Sequence, residues 1–456
     1  MMIAIPRRAR NPLSFAGAVL VTLSAVLFLF VYALELFAAH TNPYIGMVFF
    51  LLMPGLFVLG LLLIPLGMWR ERRREQRGIR RAPGWPVLDM NDGHVRRTVA
   101  TVVVLTIVNV LIVGLASFKG VEYMDSVSFC GQVCHEVMKP EFTSYLAGPH
   151  ARVKCVECHI GPGAPWFVRS KLSGARQLYA VTFNTHSRPI PSPVENLRPA
   201  RDTCEQCHWP AKFHGDKIRA LREYADDAAA TESVTVMRLH VGGGSESLGP
   251  VSGIHWHTSR QEMIEYVATD DKRQVIASVR LTDANGRVKE WTAPDVTPAA
   301  LAKGEHRQMD CMDCHNRPSH QFAATAERAV DQAIANGELE RTLPFIRREA
   351  VRVVKQTYPT QDAAFAGIAS SLTTFYSTSN APTPPDPHSV TRAIAAVQRV
   401  YGRNVFPTMK VTWGTYANNL GHLDFPGCFR CHDDNHKAKD GTTISQDCEL
   451  CHKMES

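Results

Sequence analysis

No cysteine in this chain stands apart from a short paired motif. A framework of scattered disulfides is thereby excluded. No cysteine pair is followed directly by lysine. Strong charge is lacking too: the net charge is +7 over 456 residues, and part of it sits in one arginine-rich loop, so nucleic acid is not an implied partner. Positive charge is missing altogether from "AHTNPY", between the first two apolar runs, and that absence orients the chain.

What is present is repetition. Ten of the twelve cysteines form five C-x-x-C-H motifs, at Cys155/Cys158/His159, Cys204/Cys207/His208, Cys311/Cys314/His315, Cys428/Cys431/His432 and Cys448/Cys451/His452. The motif reads as covalent c-type haem attachment. The thiols bond the haem vinyl groups, and the next histidine is placed to ligate the iron. One copy alone could be a zinc site, a thioredoxin-like pair or a disulfide; five copies, each followed by histidine, leave those readings little room. The other two cysteines give Cys130-Gly-Gln-Val-Cys134-His135, with one residue too many between the thiols. A sixth haem c on this variant is the economical reading. The alternative is a local disulfide or thiol pair and five haems in all.

A helix crossing a bilayer needs roughly 20 mostly apolar residues. Leu13 to Phe37, Tyr44 to Trp69 and Val99 to Phe118 qualify, with Glu35 near the end of the first and Pro54 and Pro65 as kinks in the second. The first run is too long for the signal-peptide core of about 7–15 residues and reads as a retained anchor. Arg7, Arg8 and Arg10 precede it, and "RERRREQRGIRR" between the second and third runs carries seven arginines. Positive segments stay cytoplasmic. The N-terminus is then inside, and residue 119 onward lies outside, in the periplasm of a bacterium, where haem c is attached.

The fold expected is mainly α with loops: a three-helix transmembrane anchor, then a multihaem cytochrome c domain with a small β insert. The divisions are 1–119 for the anchor, 120–220 for the first three motifs and 221–304 for the β-rich insert. Residues 305–321 carry the fourth motif, 322–420 a helical insert, and 421–456 the last two motifs. "EMIEYVATD", "QVIASVRLTD" and "GRVKEWTA" are β-rich, and Asn285-Gly286 is a strong hairpin signal. "FAATAERAVDQAIANGELE" and "VTRAIAAVQRVYG" are apolar at helical spacing. So many haems are expected to replace much of the side-chain core.

Each iron has a second axial position, and a second histidine there makes a low-potential carrier. Of nineteen histidines, six belong to motifs and two, His40 and His94, lie in loops of the membrane part. His150, His186, His214, His257, His320, His422 and His436 are the candidate distal ligands. His255 accompanies His257 in "GIHWHTS", a spacing that would put both on one face of a strand.

The stretch "SFCGQVCHEVMKPEFTSYLAGPHARVKCVECHIGPGAP", with "CMDCHNRPSH", resembles the NapC/NirT family of membrane-anchored tetrahaem quinol dehydrogenases. The look is nearest to the ImcH-type inner-membrane cytochromes, which also add spans and haems. The resemblance covers the first four motifs and the preceding span. It implies that Met138 ligates the first haem, that His150 and His320 are distal ligands, and that Lys171 hydrogen-bonds a quinol oxygen. Here the family's acidic residue after the lysine is missing, since none lies between Lys171 and Glu195; Asp125, Glu122 or Glu136 would then accept protons. From spacing alone, Lys171 is an ordinary solvated lysine.

The expected function is oxidation of quinol or menaquinol at the outer membrane face and relay of electrons to periplasmic cytochromes or reductases. Membrane lipid is the other implied partner. Two alternatives stand beside it: a relay fed by a partner membrane subunit, and a terminal reductase acting at an open haem.

Overall fold

The computed structural model describes residues 11–37, 43–77, 90–133, 135–161, 164–194, 197–244, 251–377 and 385–455. Two compact units divide the chain at residue 133.

The first unit holds three long helices, α1 (Pro12–Phe37), α2 (Pro43–Gln76) and α3 (Gly93–Met124). Apolar side chains such as Leu23, Leu62, Ile107, Leu111, Leu115 and Phe118 point outward, as they must if lipid is the solvent. Met53–Arg74 and Ile107–Met124 are long and apolar enough to cross a membrane; the described apolar part of α1, Pro12–Phe28, is shorter. Two to three apolar helices thus form an anchor. α1 and α2 touch through small residues. A Cβ on Gly17 would lie 2.8 Å from the Gly60 carbonyl oxygen, and a Cβ on Gly60 would lie 2.8 Å from that of Gly17. The Ser14 hydroxyl donates to the Ile64 carbonyl at 2.9 Å. Small residues and interhelical hydrogen bonds are how helices associate without a hydrophobic driving force. Asp92 caps α3, accepting from the His94 amide at 2.8 Å. After α3 the chain makes a π-helical turn over Phe129–Val133. A π-turn takes up one residue more than an α-turn, and the first motif has one residue more between its cysteines.

The second unit begins with α4 (His135–Ala147) and the motif helix α5 (Cys155–His159). The amphipathic α6 (Ala164–Thr182) and the short α7 (Ala200–Cys204) follow. Strands β1 (Lys217–Tyr224) and β2 (Glu232–Leu239) pair antiparallel, and β2 then pairs with β8 (His452–Glu455) at the C-terminal end. A second antiparallel sheet has the order β6-β3-β4-β5-β7, from β3 (Met263–Ala268), β4 (Ile276–Thr282), β5 (Val288–Thr292), β6 (Glu305–Gln308) and β7 (Lys437–Ala438). The turn at Asn285-Gly286 is where the sequence places it: Gly286 has φ +76°, and Asp283 accepts from the Asn285 and Arg287 amides. The β region is not a self-contained insert. β7 and β8 come from the last motif segment, so the sheets tie the middle of the second unit to its C-terminal segment.

After α8 (Pro298–Lys303) and the motif helix α9 (Cys311–Cys314), four helices form a bundle: α10 (Ala326–Ala335), α11 (Ile346–Val354), α12 (Gln361–Ser377) and α13 (Pro387–Asn404). Val330, Ile346, Val353, Ile368, Leu372, Val397 and Tyr401 are fully buried within it. A large apolar side-chain core is therefore present, against the expectation that haems replace most of it. The bundle carries no motif and packs its helices like any globular domain.

Candidate haem sites

Each described motif is one tight turn. The amides of His208, His315 and His432 donate to the carbonyls of Cys204, Cys311 and Cys428, four residues back, at 2.8, 2.8 and 3.1 Å. This turn sets two thiols and an imidazole on one side of the backbone. At α9 a reciprocal cap holds it: Asp310 accepts from the Met312 amide at 2.7 Å, while Asp313 accepts from the Asp310 amide at 2.7 Å.

Every motif histidine from the second to the sixth faces another histidine. Ring centroids are 6.2 Å apart for His159 and His320, 6.1 Å for His208 and His150, 6.5 Å for His315 and His255, 5.8 Å for His432 and His257, and 6.1 Å for His452 and His422. These spacings fit a metal between the rings. A metal-bound imidazole nitrogen lies about 2.0 Å from the metal, so two rings on opposite sides have centroids about 6 Å apart.

Ring hydrogen bonds agree. Nδ1 of His320 donates to the Glu141 carbonyl (2.9 Å), that of His255 to Val241 (3.0 Å), that of His257 to Ile254 (2.8 Å), that of His150 to Pro318 (3.3 Å) and that of His432 to Ser445 (2.8 Å). A carbonyl only accepts, so Nδ1 holds the proton and the lone pair is left on Nε2 for a metal. Burial also holds His159, His255, His257, His315 and His320 below the usual imidazole range, favouring the neutral, ligating form.

The motifs meet in chain order. Cys158 and Cys207 are close enough for their charges to interact. The Cys204 and Cys311 thiols hydrogen-bond, which raises the one and lowers the other. Cys314 and Cys451 each sense Cys428.

Two histidines taken from the sequence as candidate ligands are placed elsewhere. His214 is exposed, with Nδ1 on the Lys212 carbonyl at 3.0 Å. His436 is buried, but both its nitrogens are taken, by Asp433 at 2.9 Å and the Ile276 carbonyl at 3.0 Å. His255 was paired with His257 on one strand face. The segment Ile254–Thr258 is instead a 3-10 turn, which sends the two rings to different motifs. The glycine at 253, with φ +71°, breaks the strand and was the available signal. Cys134 lies outside the described residues, as does the His135 side chain.

The sequence also matches known proteins. The profile of the NapC/NirT cytochrome c family, N-terminal region, matches residues 94–189. Cytochrome c-type protein ImcH of Geobacter sulfurreducens is 42% identical over 449 residues, 97% of this chain and 88% of that one. The chain belongs to the NapC/NirT cytochrome c family. Cytochrome c-type protein TorC of Escherichia coli is 29% identical over 161 residues, 29% of this chain and 40% of that one. No solved structure matches. This NapC/NirT protein is thus a membrane-anchored electron-transport cytochrome, with haem c as its cofactor.

Proposed function

We propose that this cytochrome oxidises menaquinol or a related quinol at the periplasmic face of the cytoplasmic membrane. Six haems c then relay electrons in chain order to soluble periplasmic cytochromes or reductases. The observation that carries the relay is the set of five histidine pairs with iron-sized gaps, on motifs whose cysteines lie near enough to interact in sequence order. Bound there, haem c supplies one-electron redox chemistry at low potential. A terminal reductase would need an open axial position, and each of these five motif histidines faces a second histidine.

The anchor is read as three spans with the N-terminus cytoplasmic. Its exposed apolar side chains suit lipid, and α6 supports a membrane-surface role for the haem domain. Leu172, Tyr179 and Phe183 lie on one face of α6 and the turn after it, all exposed, and the Tyr179 and Phe183 rings meet at a tilt with centroids 4.6 Å apart. Arg169 and Arg176 are exposed on the same helix. An apolar stripe flanked by cations is the pattern of a helix lying in the headgroup layer.

Lys171 sits beside this stripe, half-buried. A quinol losing two electrons must also lose two protons to become quinone. In this reading Lys171 hydrogen-bonds a quinol oxygen and favours its deprotonated form. Asp125, the residue that ends α3, takes up a proton. Glu122 is less suited, since it pairs with Lys119 at 2.7 Å.

The test is anaerobic mixing of the purified protein in detergent or nanodiscs with a menaquinol analogue, followed by haem absorbance. Reduction blocked by a quinone-site inhibitor, and slowed about tenfold or more in Lys171→Ala as expected for a lost charged hydrogen bond, supports the proposal. A protein reduced by dithionite but untouched by quinol would refute it and favour a relay fed by another membrane protein.

A further inference from the structure

The five histidine pairs offer the same two axial ligands, so ligation does not set one of these sites apart from the next. The remaining levers on a haem's potential are charge, hydrogen bonding and burial around it. Charge inside the motifs differs at one place. Between the cysteines of four C-x-x-C-H motifs stands an acidic residue, Glu157, Glu205, Asp313 or Glu449; in the fifth motif a cation, Arg430, stands there instead.

Hydrogen bonds hold this arginine in a fixed place. Its Nε donates to the Gly427 carbonyl, just before its own motif, at 2.9 Å. One terminal nitrogen donates to the Arg273 carbonyl, in the turn between β3 and β4, at 2.8 Å. The other donates to the Asp313 carbonyl, inside the fourth motif, at 2.7 Å. The Asn419 side-chain amide donates to that same carbonyl at 2.9 Å. The guanidinium therefore bridges the fourth and fifth motifs, half-buried, with its charge close enough to act on Cys314, Cys428 and Cys431. Its three acceptors are all carbonyls, which orient a guanidinium without cancelling its charge. The carboxylates that also act on Cys314 and Cys431 are engaged elsewhere. Asp313 accepts from the Tyr266 hydroxyl and faces Arg307 at 3.4 Å, and Asp433 meets the His436 ring at 2.9 Å.

We propose that Arg430 raises the potential of the fifth haem above those of its neighbours, the fourth and sixth. The inference rests on the reading that these motifs carry haem. A fixed cation favours the reduced iron, because reduction lowers the positive charge it faces. In a half-buried site, salt screens that interaction only weakly. Arg430 touches no reacting atom; it is a positioning residue that acts through its charge. Electrons passed along the motifs then collect one step before the last.

The test uses the full-length protein in detergent. Mass spectrometry of its peptides first asks whether the fourth, fifth and sixth motifs carry haem; bare cysteines at any of them would overturn that reading and this proposal with it. A spectroelectrochemical titration then resolves the midpoints. In Cys428→Ala with Cys431→Ala, the component that disappears belongs to the fifth haem, and it is expected from the upper half of the range. In Arg430→Met, unbranched and uncharged, that component is expected to move down while the others hold. In Arg430→Lys, which keeps the charge and guards against a folding defect in the methionine variant, it is expected to stay high. A missing component from the lower half of the range would overturn the proposal, and so would unchanged midpoints in Arg430→Met. A fall in Arg430→Lys as large as that in Arg430→Met would do the same, since it would trace the effect to the bonds and not to the charge.

Discussion

Glu141 and Arg317 show how much the placement of His320 depends on a buried ion pair beside it. The Arg317 guanidinium donates to both Glu141 carboxylate oxygens, at 3.0 and 2.8 Å, and to the His320 carbonyl at 2.6 Å. It also lies 3.8 Å over the Tyr416 ring. Both side chains of the pair are only about a tenth exposed. Breaking a buried pair leaves one charge without its partner and costs about 3–5 kcal/mol. Glu141→Ala should therefore lower unfolding stability by about that amount in a denaturant titration followed at the Soret band. A loss under about 1 kcal/mol would mean that solvent reaches Arg317 and screens it. His320 itself was legible, because it follows the fourth motif at a spacing the family shares. Glu141 was not, since nothing in sequence links position 141 to position 317. His436 failed as a ligand for a similar reason: its partner Asp433 is local and readable, but the Ile276 carbonyl that fills its other nitrogen comes from a distant strand.

Helices and strands were legible to different degrees. The apolar runs marked the cores of α1, α2 and α3, but not their ends. α2 continues through the arginine-rich stretch to Gln76, because arginine and glutamate are good helix formers once a helix has begun. At about 1.5 Å per residue, its 34 residues exceed the roughly 30 Å of hydrocarbon, so the arginine end stands clear of the lipid. β1 was missed: its residues are almost all exposed, and "KIRALREY" lacks the two-residue alternation of a half-buried strand. The Gly17–Gly60 approach belongs to this scale, and it is invisible until two helices are placed together. A valine at position 60 has no room between the backbones. Gly60→Val should weaken the α1–α2 contact by about 1–3 kcal/mol, read as a lower midpoint in a dodecyl sulfate titration of the anchor. An unchanged midpoint would show that the two helices pack otherwise.

Across the haem domain, the contacts between motifs run second to third, third to fourth, fourth to fifth and fifth to sixth. The fourth motif is then a bridge with no bypass in the described contacts. Cys311→Ala with Cys314→Ala should remove one haem and split the relay. Stopped-flow reduction by quinol would show fast reduction of three haems and slow reduction of the last two. Uniform reduction of all five would mean a second route. The motif count could be read from the sequence, and so could four of the histidines that face motif histidines, His150, His257, His320 and His422. The order of contacts could not, because it depends on which loops the two sheets and the helical bundle bring together.

The same histidine pairs set a timetable for assembly. For four of the five pairs the second histidine precedes its motif, so it has already been exported when the haem arrives. In the proposed relay the second motif is the exception: His159 must wait for His320, about 160 residues later. At about 5–20 residues per second, the second site stays half-ligated for roughly ten to thirty seconds of synthesis. During that interval its iron is open to any passing imidazole, and His150 and His186 emerge first.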